Sequence, residues 1–90
     1  MSNKNYIFIR KKGNILERIF HKDISHIQAD GDYCKIYTML EMHHVHMTLS
    51  AITSILPEDI FYRCQRSFTV NLDKIEVIED NTIYINKKLI

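Results

Sequence analysis

Between Phe61 and Ile75, two arginines and a glutamine stand in a bend between two strand-like apolar runs. The order is Phe61-Tyr62-Arg63-Cys64-Gln65-Arg66-Ser67-Phe68-Thr69-Val70. A β-rich domain rarely spends arginines on a tight inter-strand position. The guanidinium is a planar fork of donors that matches phosphate oxygens and the guanine edge. Glutamine can pair with adenine in the same way. The chemistry offered by Arg63, Gln65 and Arg66 is therefore recognition of a nucleic acid. Two readings of Arg66 stand side by side: a groove-reading arginine, or an exposed arginine paired with an acid such as Asp73. Arg63 divides between phosphate contact and a surface ion pair. For Asn71 the structural reading leads, because a side-chain amide at a strand end usually caps the following turn.

Other residue types lend themselves less to chemistry. His43, His44 and His46 lie on one strand, where His44 and His46 share a face and His43 takes the other. Two histidines at that spacing could hold part of a zinc site. The third ligand would have to come from His21, His26, a carboxylate or a cysteine; a solvated or nonspecific histidine strand is the plainer reading, and a DNA-facing patch stands beside it. Cys34 and Cys64 form no CxxC pair and sit among apolar or aromatic neighbours, so two reduced, half-buried thiols are expected. No glycine-rich elbow or activating arrangement surrounds Cys64. Asp30 and Asp32 are only two carboxylates at a turn. No catalytic residue, resident metal or cofactor is expected, and the chain is read as not an enzyme.

The elements that must position these groups follow from the apolar pattern. Ninety residues make one domain, 1–90, with a thin core. No apolar run approaches the length of a membrane helix, and the N-terminus lacks a signal-peptide core, so the cytoplasm is the expected location. Tyr6 to Arg10 and Ile15 to Ile19 read as a hairpin about a Lys11-Lys12-Gly13-Asn14 turn. Ile24 to Gln28 and Tyr33 to Met39 flank an Ala29-Asp30-Gly31-Asp32 turn. A reversal is required at Leu40 to Met42, which carries no turn residue, before a strand from His43 to Met47. Thr48 caps one helix near residues 49–56, with Leu49, Ile52 and Leu56 on one face, and Pro57 ends it. Phe61 to Cys64, Phe68 to Asn71, Ile75 to Ile78 and Thr82 to Ile85 complete the set, the last two around a type I′-like Asp80-Asn81. The expected fold is a mainly β, compact antiparallel domain of about eight short strands with one short helix.

Net charge is only +1, from twelve basic and eleven acidic residues. A basic balance is the usual footprint of a nucleic-acid binder, so the distribution has to carry the reading. Arg10-Lys11-Lys12, Lys35, Arg63 with Arg66, and Lys87-Lys88 are separate basic points that a β fold could bring together.

Three segments resemble the LytTR type of DNA-binding domain. Ile27-Gln28-Ala29-Asp30-Gly31-Asp32-Tyr33 is similar to that family's opening motif. Thr48-Leu49, the helix and Leu56-Pro57 resemble its central segment. Phe61-x-Arg63-Cys64-x-Arg66-Ser67-Phe68-x-Val70-Asn71-Leu72-x-x-Ile75 resembles its signature. The pieces keep the family's order and spacing over roughly residues 5 to 85. The resemblance implies promoter DNA as the partner, read by loops set into successive major grooves at paired direct repeats. It implies the output domain of a bacterial two-component response regulator, usually behind a receiver domain, with a homodimer on DNA possible. Carried over by position, Arg66 falls on a groove-contacting site and Gln65 stands where the family usually has His. Cys34 and Lys35 lie in the region of a second contacting loop. The family commonly continues into a Ser-Arg-Arg-Tyr-like basic segment, whereas this chain stops at Lys87-Lys88-Leu89-Ile90, and no receiver domain precedes residue 1. A piece of a longer regulator and a short stand-alone member both fit. DNA contacts are expected from Lys35, Arg63, Gln65, Arg66, Lys87 and Lys88. A protein-interaction module of the same fold, modulating a full-length regulator, is the alternative.

Overall fold

The structure, a computed structural model, describes residues 4–85 and the backbone of residues 88 and 89. Its centre is a five-stranded antiparallel sheet in the order β5-β4-β3-β7-β6. The strands are β3 (Ile24–Asp30), β4 (Tyr33–Thr38), β5 (Met42–Val45), β6 (Phe61–Gln65) and β7 (Phe68–Asn71). A separate ribbon pairs β1 (Tyr6–Lys11) with β2 (Ile15–Phe20). A small sheet joins β8 (Ile75–Glu79), β9 (Thr82–Ile85) and β10 (Lys88–Leu89). The single α-helix among the described residues is α1 (Leu49–Ile55), and two 3-10 turns span His21–Asp23 and Leu72–Lys74.

Alternation along the strands sorts the side chains. In β4, Cys34 and Ile36 are fully buried, while Tyr33, Lys35 and Tyr37 face the other way. Ile27, Cys34, Ile36 and Val45 from the sheet meet Ile7, Ile9 and Ile19 of the ribbon and Leu49 and Ile52 of the helix in one core cluster. Each such fully buried aliphatic contributes about 1.5–3 kcal/mol relative to exposure. So the ribbon and α1 share one face of the sheet. Thr53 and Thr69 hydroxyls, 2.8 Å apart, add a polar link from α1 to β7.

The turns account for the differences from the sequence reading. Gly13 (φ 77°) and Asn14 (φ 58°) both occupy the left-handed region, as the ribbon's turn requires. At the β8–β9 turn only Asp80 does (φ 55°), so the turn is not type I′. The reversal at 39–41 closes without Gly, Pro, Asn or Asp. Thr38 Oγ1 accepts from the N–H groups of Leu40 and Glu41 and donates to the Glu41 carbonyl, 3.0 Å away. That device starts β5 one residue early, at Met42. The helix keeps its expected cap, with Thr48 Oγ1 accepting from Ala51 N–H at 3.1 Å.

Candidate nucleic-acid interface

Strand β3 pairs with β4 on one side and β7 on the other, both antiparallel. Its C-terminal end therefore lies beside the first residues of both partners. This geometry brings the turn after Asp30 and the turn after Gln65 to one rim of the sheet. A backbone bond fastens them: Ala29 N–H donates to the Ser67 carbonyl at 2.8 Å. Cys34 stands opposite Val45, so β5 ends at the same rim and delivers His46 there.

Arg66 is exposed at the tip of the β6–β7 turn. Among the described residues its guanidinium makes no ion pair, neither with Asp73 nor with another acid. Arg63 is placed differently. Its Nη1 donates to Ser50 Oγ and its Nη2 to the Arg66 carbonyl, both at 2.6 Å. It braces the turn against the start of α1, through a partner thirteen residues away that the sequence did not suggest. A bulge between Arg63 and Gln65 also breaks the alternation that would have set them on one face with buried Phe61. Gln65 is exposed beside Arg66. Lys35 is half-buried on the outward side of β4, between Gln28 and His44 in register. Lys87 lies outside the described residues, and of Lys88 only the backbone pairing with Ile85 is described.

Asn71, at the far end of β7, is 1% exposed. Its Oδ1 accepts from Asp73 N–H at 2.9 Å, the capping role expected of it. Its Nδ2 also donates to the carbonyls of His21 and Ile24, at 3.3 and 2.8 Å, which ties β7 to the start of β3.

The sequence reading missed an aromatic stack. Tyr33 lies flat between His44 and His46, with ring centroids 4.8 and 4.5 Å away. His44 Nε2 also meets Asp30 Oδ2 at 2.9 Å. The shared face of His44 and His46 was legible, but the partner depends on the β4–β5 register. Beside the stack runs a groove of about 590 Å³ whose lining includes Arg10, Lys11, Lys12, Tyr33, His44 and His46. The Arg10-Lys11-Lys12 point thus comes to the rim beside the histidine stack.

The metal-ligand residue types that do come together are Glu17, Glu41 and His43, with ligand atoms within 4.8 Å of one another. Buried His43 meets Glu41 at 3.2 Å and Lys11 meets Glu17 at 2.8 Å. The Lys11 hydrogen bond holds the Glu17 carboxyl below its ordinary range. The Lys11 ammonium balances the Glu17 carboxylate, and Glu41 is held beside the His43 ring. Both cysteines are free thiols. Burial pushes Cys34 up to about 11 and raises Cys64 as well, which makes both poor nucleophiles.

An antiparallel β scaffold fastens two turns on one rim and exposes there an arginine with no ion pair among the described residues. The chain belongs to the family of LytTr DNA-binding domains, whose model matches residues 15–88. It is 40% identical over 65 residues to the Transcriptional regulatory protein YpdB of Escherichia coli (strain K12) and, equally, to that of Shigella flexneri. Those alignments take in 70% of this chain and 27% of each relative, so the chain spans about a quarter of the length of these curated relatives. A solved structure, the LytTr DNA-binding domain of a Bacillus cereus protein described as a methyl-accepting/DNA response regulator, superposes with a TM-score of 0.80. The superposition covers 98% of this chain and 85% of that one at 17% identity, and so speaks for the fold. No helix among the described residues is long and apolar enough to cross a membrane.

Proposed function

We propose that this chain is the sequence-specific DNA-binding output domain of a bacterial two-component transcription regulator, acting in the cytoplasm. The two rim turns enter the major groove of promoter DNA at direct-repeat sites. A receiver domain in the same polypeptide and a homodimer on DNA complete the reading. The observation that carries it is the exposed Arg66 guanidinium, without an ion pair among the described residues, on a turn fixed at both sides, by Arg63 from below and by Ala29 from the neighbouring turn. A fixed backbone with an unbound fork of donors is what base-edge recognition requires. Scattered lysines and arginines position the domain on phosphates, and Arg66 with Gln65 discriminates between bases.

The test is selection from a randomised duplex pool followed by a salt titration on the selected site. A consensus should emerge, and log affinity should fall against log salt with a slope of about −4 to −5 if about four to six phosphates are neutralised. No enrichment and a slope near zero would overturn the reading. The alternative, an interaction module of the same fold, draws on Val77 and Ile78, which are 51% and 65% exposed on β8. It predicts no duplex binding at low salt.

A further inference from the structure

The β1–β2 ribbon has a composition that the core does not explain. Its inward face supplies Ile7, Ile9 and Ile19, all buried. Its outward face carries Tyr6, Phe8 and Arg10 on one strand, directly opposite Phe20, Arg18 and Leu16 on the other. Charges are sorted with the faces. The ribbon's one acid, Glu17, lies opposite Ile9 on the inward side and is neutralised there by Lys11. The outward face and the turn therefore present Arg10, Arg18 and Lys12 with no acid between them. Arg18 is stacked, its guanidinium carbon 4.8 Å from the Phe20 ring centroid and 5.5 Å from that of Tyr6. A guanidinium held face-on against rings keeps its in-plane N–H donors directed outward. Phe8 and Leu16 stay more than half exposed. Residues 4–14 stand ahead of the segment matched by the family model.

We infer that the outward face of the β1–β2 ribbon is a second contact for the sugar–phosphate backbone of duplex DNA, flanking the site held by the rim turns. This rests on the DNA-binding reading above. Two arguments select that occupant. The face is cationic without a compensating acid, which suits a polyanion. It is also continuous with the rim, because Phe8, Arg10, Lys12 and Leu16 line the same groove as Tyr33 and His46. Recognition here is of charge and not of sequence, since contacts to the sugar–phosphate backbone position a protein without reading bases. The exposed rings add apolar contact to sugar edges without discriminating between sequences.

The experiment is a salt titration of the 90-residue chain on a selected duplex and on a mixed-sequence duplex, comparing the parent with the Arg10→Gln, Lys12→Gln double variant. Both residues are exposed, and the melting temperature is recorded for each protein. The double variant should flatten the salt slope by about two units on both duplexes alike, with the sequence preference retained. Lys12→Gln alone, at the turn, should flatten it by about one unit, and Arg10→Lys should leave it unchanged. An unchanged slope in a double variant that melts like the parent overturns the inference and leaves the rim reading intact. A loss confined to the selected duplex also overturns it, since that marks base reading. A preference of the parent for single strands over duplex overturns it in favour of a stacking platform. Absence of any salt-dependent duplex binding by the parent defeats the DNA-binding reading itself, and this inference with it.

Discussion

The two ends of strand β7 each carry a polar residue in a turn, and the structure treats them oppositely. Asn71 is buried, and its amide is used on both sides, as acceptor from Asp73 and as donor to His21 and Ile24. Arg66 is exposed, its side chain free of ion pairs among the described residues while its carbonyl is gripped by Arg63. At one end the side chain serves the backbone. At the other the backbone is held so that the side chain is left over. A side chain spent on the backbone and one left exposed are thus separated by about four residues of strand.

Replacing Asn71 by Ala should give the largest effect. It strips the buried carbonyls of His21 and Ile24 of a donor and removes a cap. A loss of about 2–4 kcal/mol of unfolding free energy is expected in a denaturant titration. DNA affinity of the protein that remains folded should hold. An Asn71 variant that unfolds like the parent but loses DNA binding would reverse the contrast.

Arg66→Ala should cost about 1–3 kcal/mol of affinity for a selected site, with little change on random duplex. Its melting temperature should match the parent, because an exposed turn arginine holds little of the core. Equal loss on all sequences would reassign Arg66 to phosphate contact. Lys87→Ala should produce that uniform, smaller loss, flattening the salt slope by about one unit.

Arg63→Ala sharpens the comparison, since it lies between the two roles. It should lower stability by about 0.5–1.5 kcal/mol, the net worth of the two hydrogen bonds at an exposed position. It should also weaken selected-site binding by loosening the turn beneath Arg66. A full loss of affinity on random duplex with unaltered stability would make Arg63 a phosphate ligand and not a brace.

The smallest effect expected is a pH dependence located at the Asn71 end. Burial lowers the pKa of His21 below its ordinary value, and its Nε2 is buried without a partner among the described residues. A base whose folded pKa is depressed binds its proton more readily when unfolded, so protonation favours unfolding. Stability should therefore fall as pH drops below about 6.5 towards the folded-state value. His21→Phe, which keeps the edge contact with Phe61, should remove that slope. A parent whose stability is flat over this range would show that His21 is solvated.

What the sequence revealed and what it hid follow the range of the interactions. The alternation in β4, the Gly13-Asn14 turn, the Thr48 cap and the Asn71 cap are local, and all four were legible. The reversal at 39–41 was anticipated but not its means, because a threonine hydroxyl replaced the expected turn residues. Arg63 could not be sorted from Arg66, since its partner Ser50 is on the helix and the bulge at Cys64 alters its face. Tyr33 was not linked to His44 and His46, because that contact needs the strand register. The convergence of Arg10 and Lys12 on the rim needs the ribbon's docking as well.

The bond from Ala29 N–H to the Ser67 carbonyl uses no side chain, so substitutions in either turn leave it in place. It works as a spacer of fixed length between the two turns. Lengthening either turn would break it, whereas exchanging the residue at position 65 or 66 would not. On the proposed reading, the letters at those two stations can change while the stride between the turns stays the same.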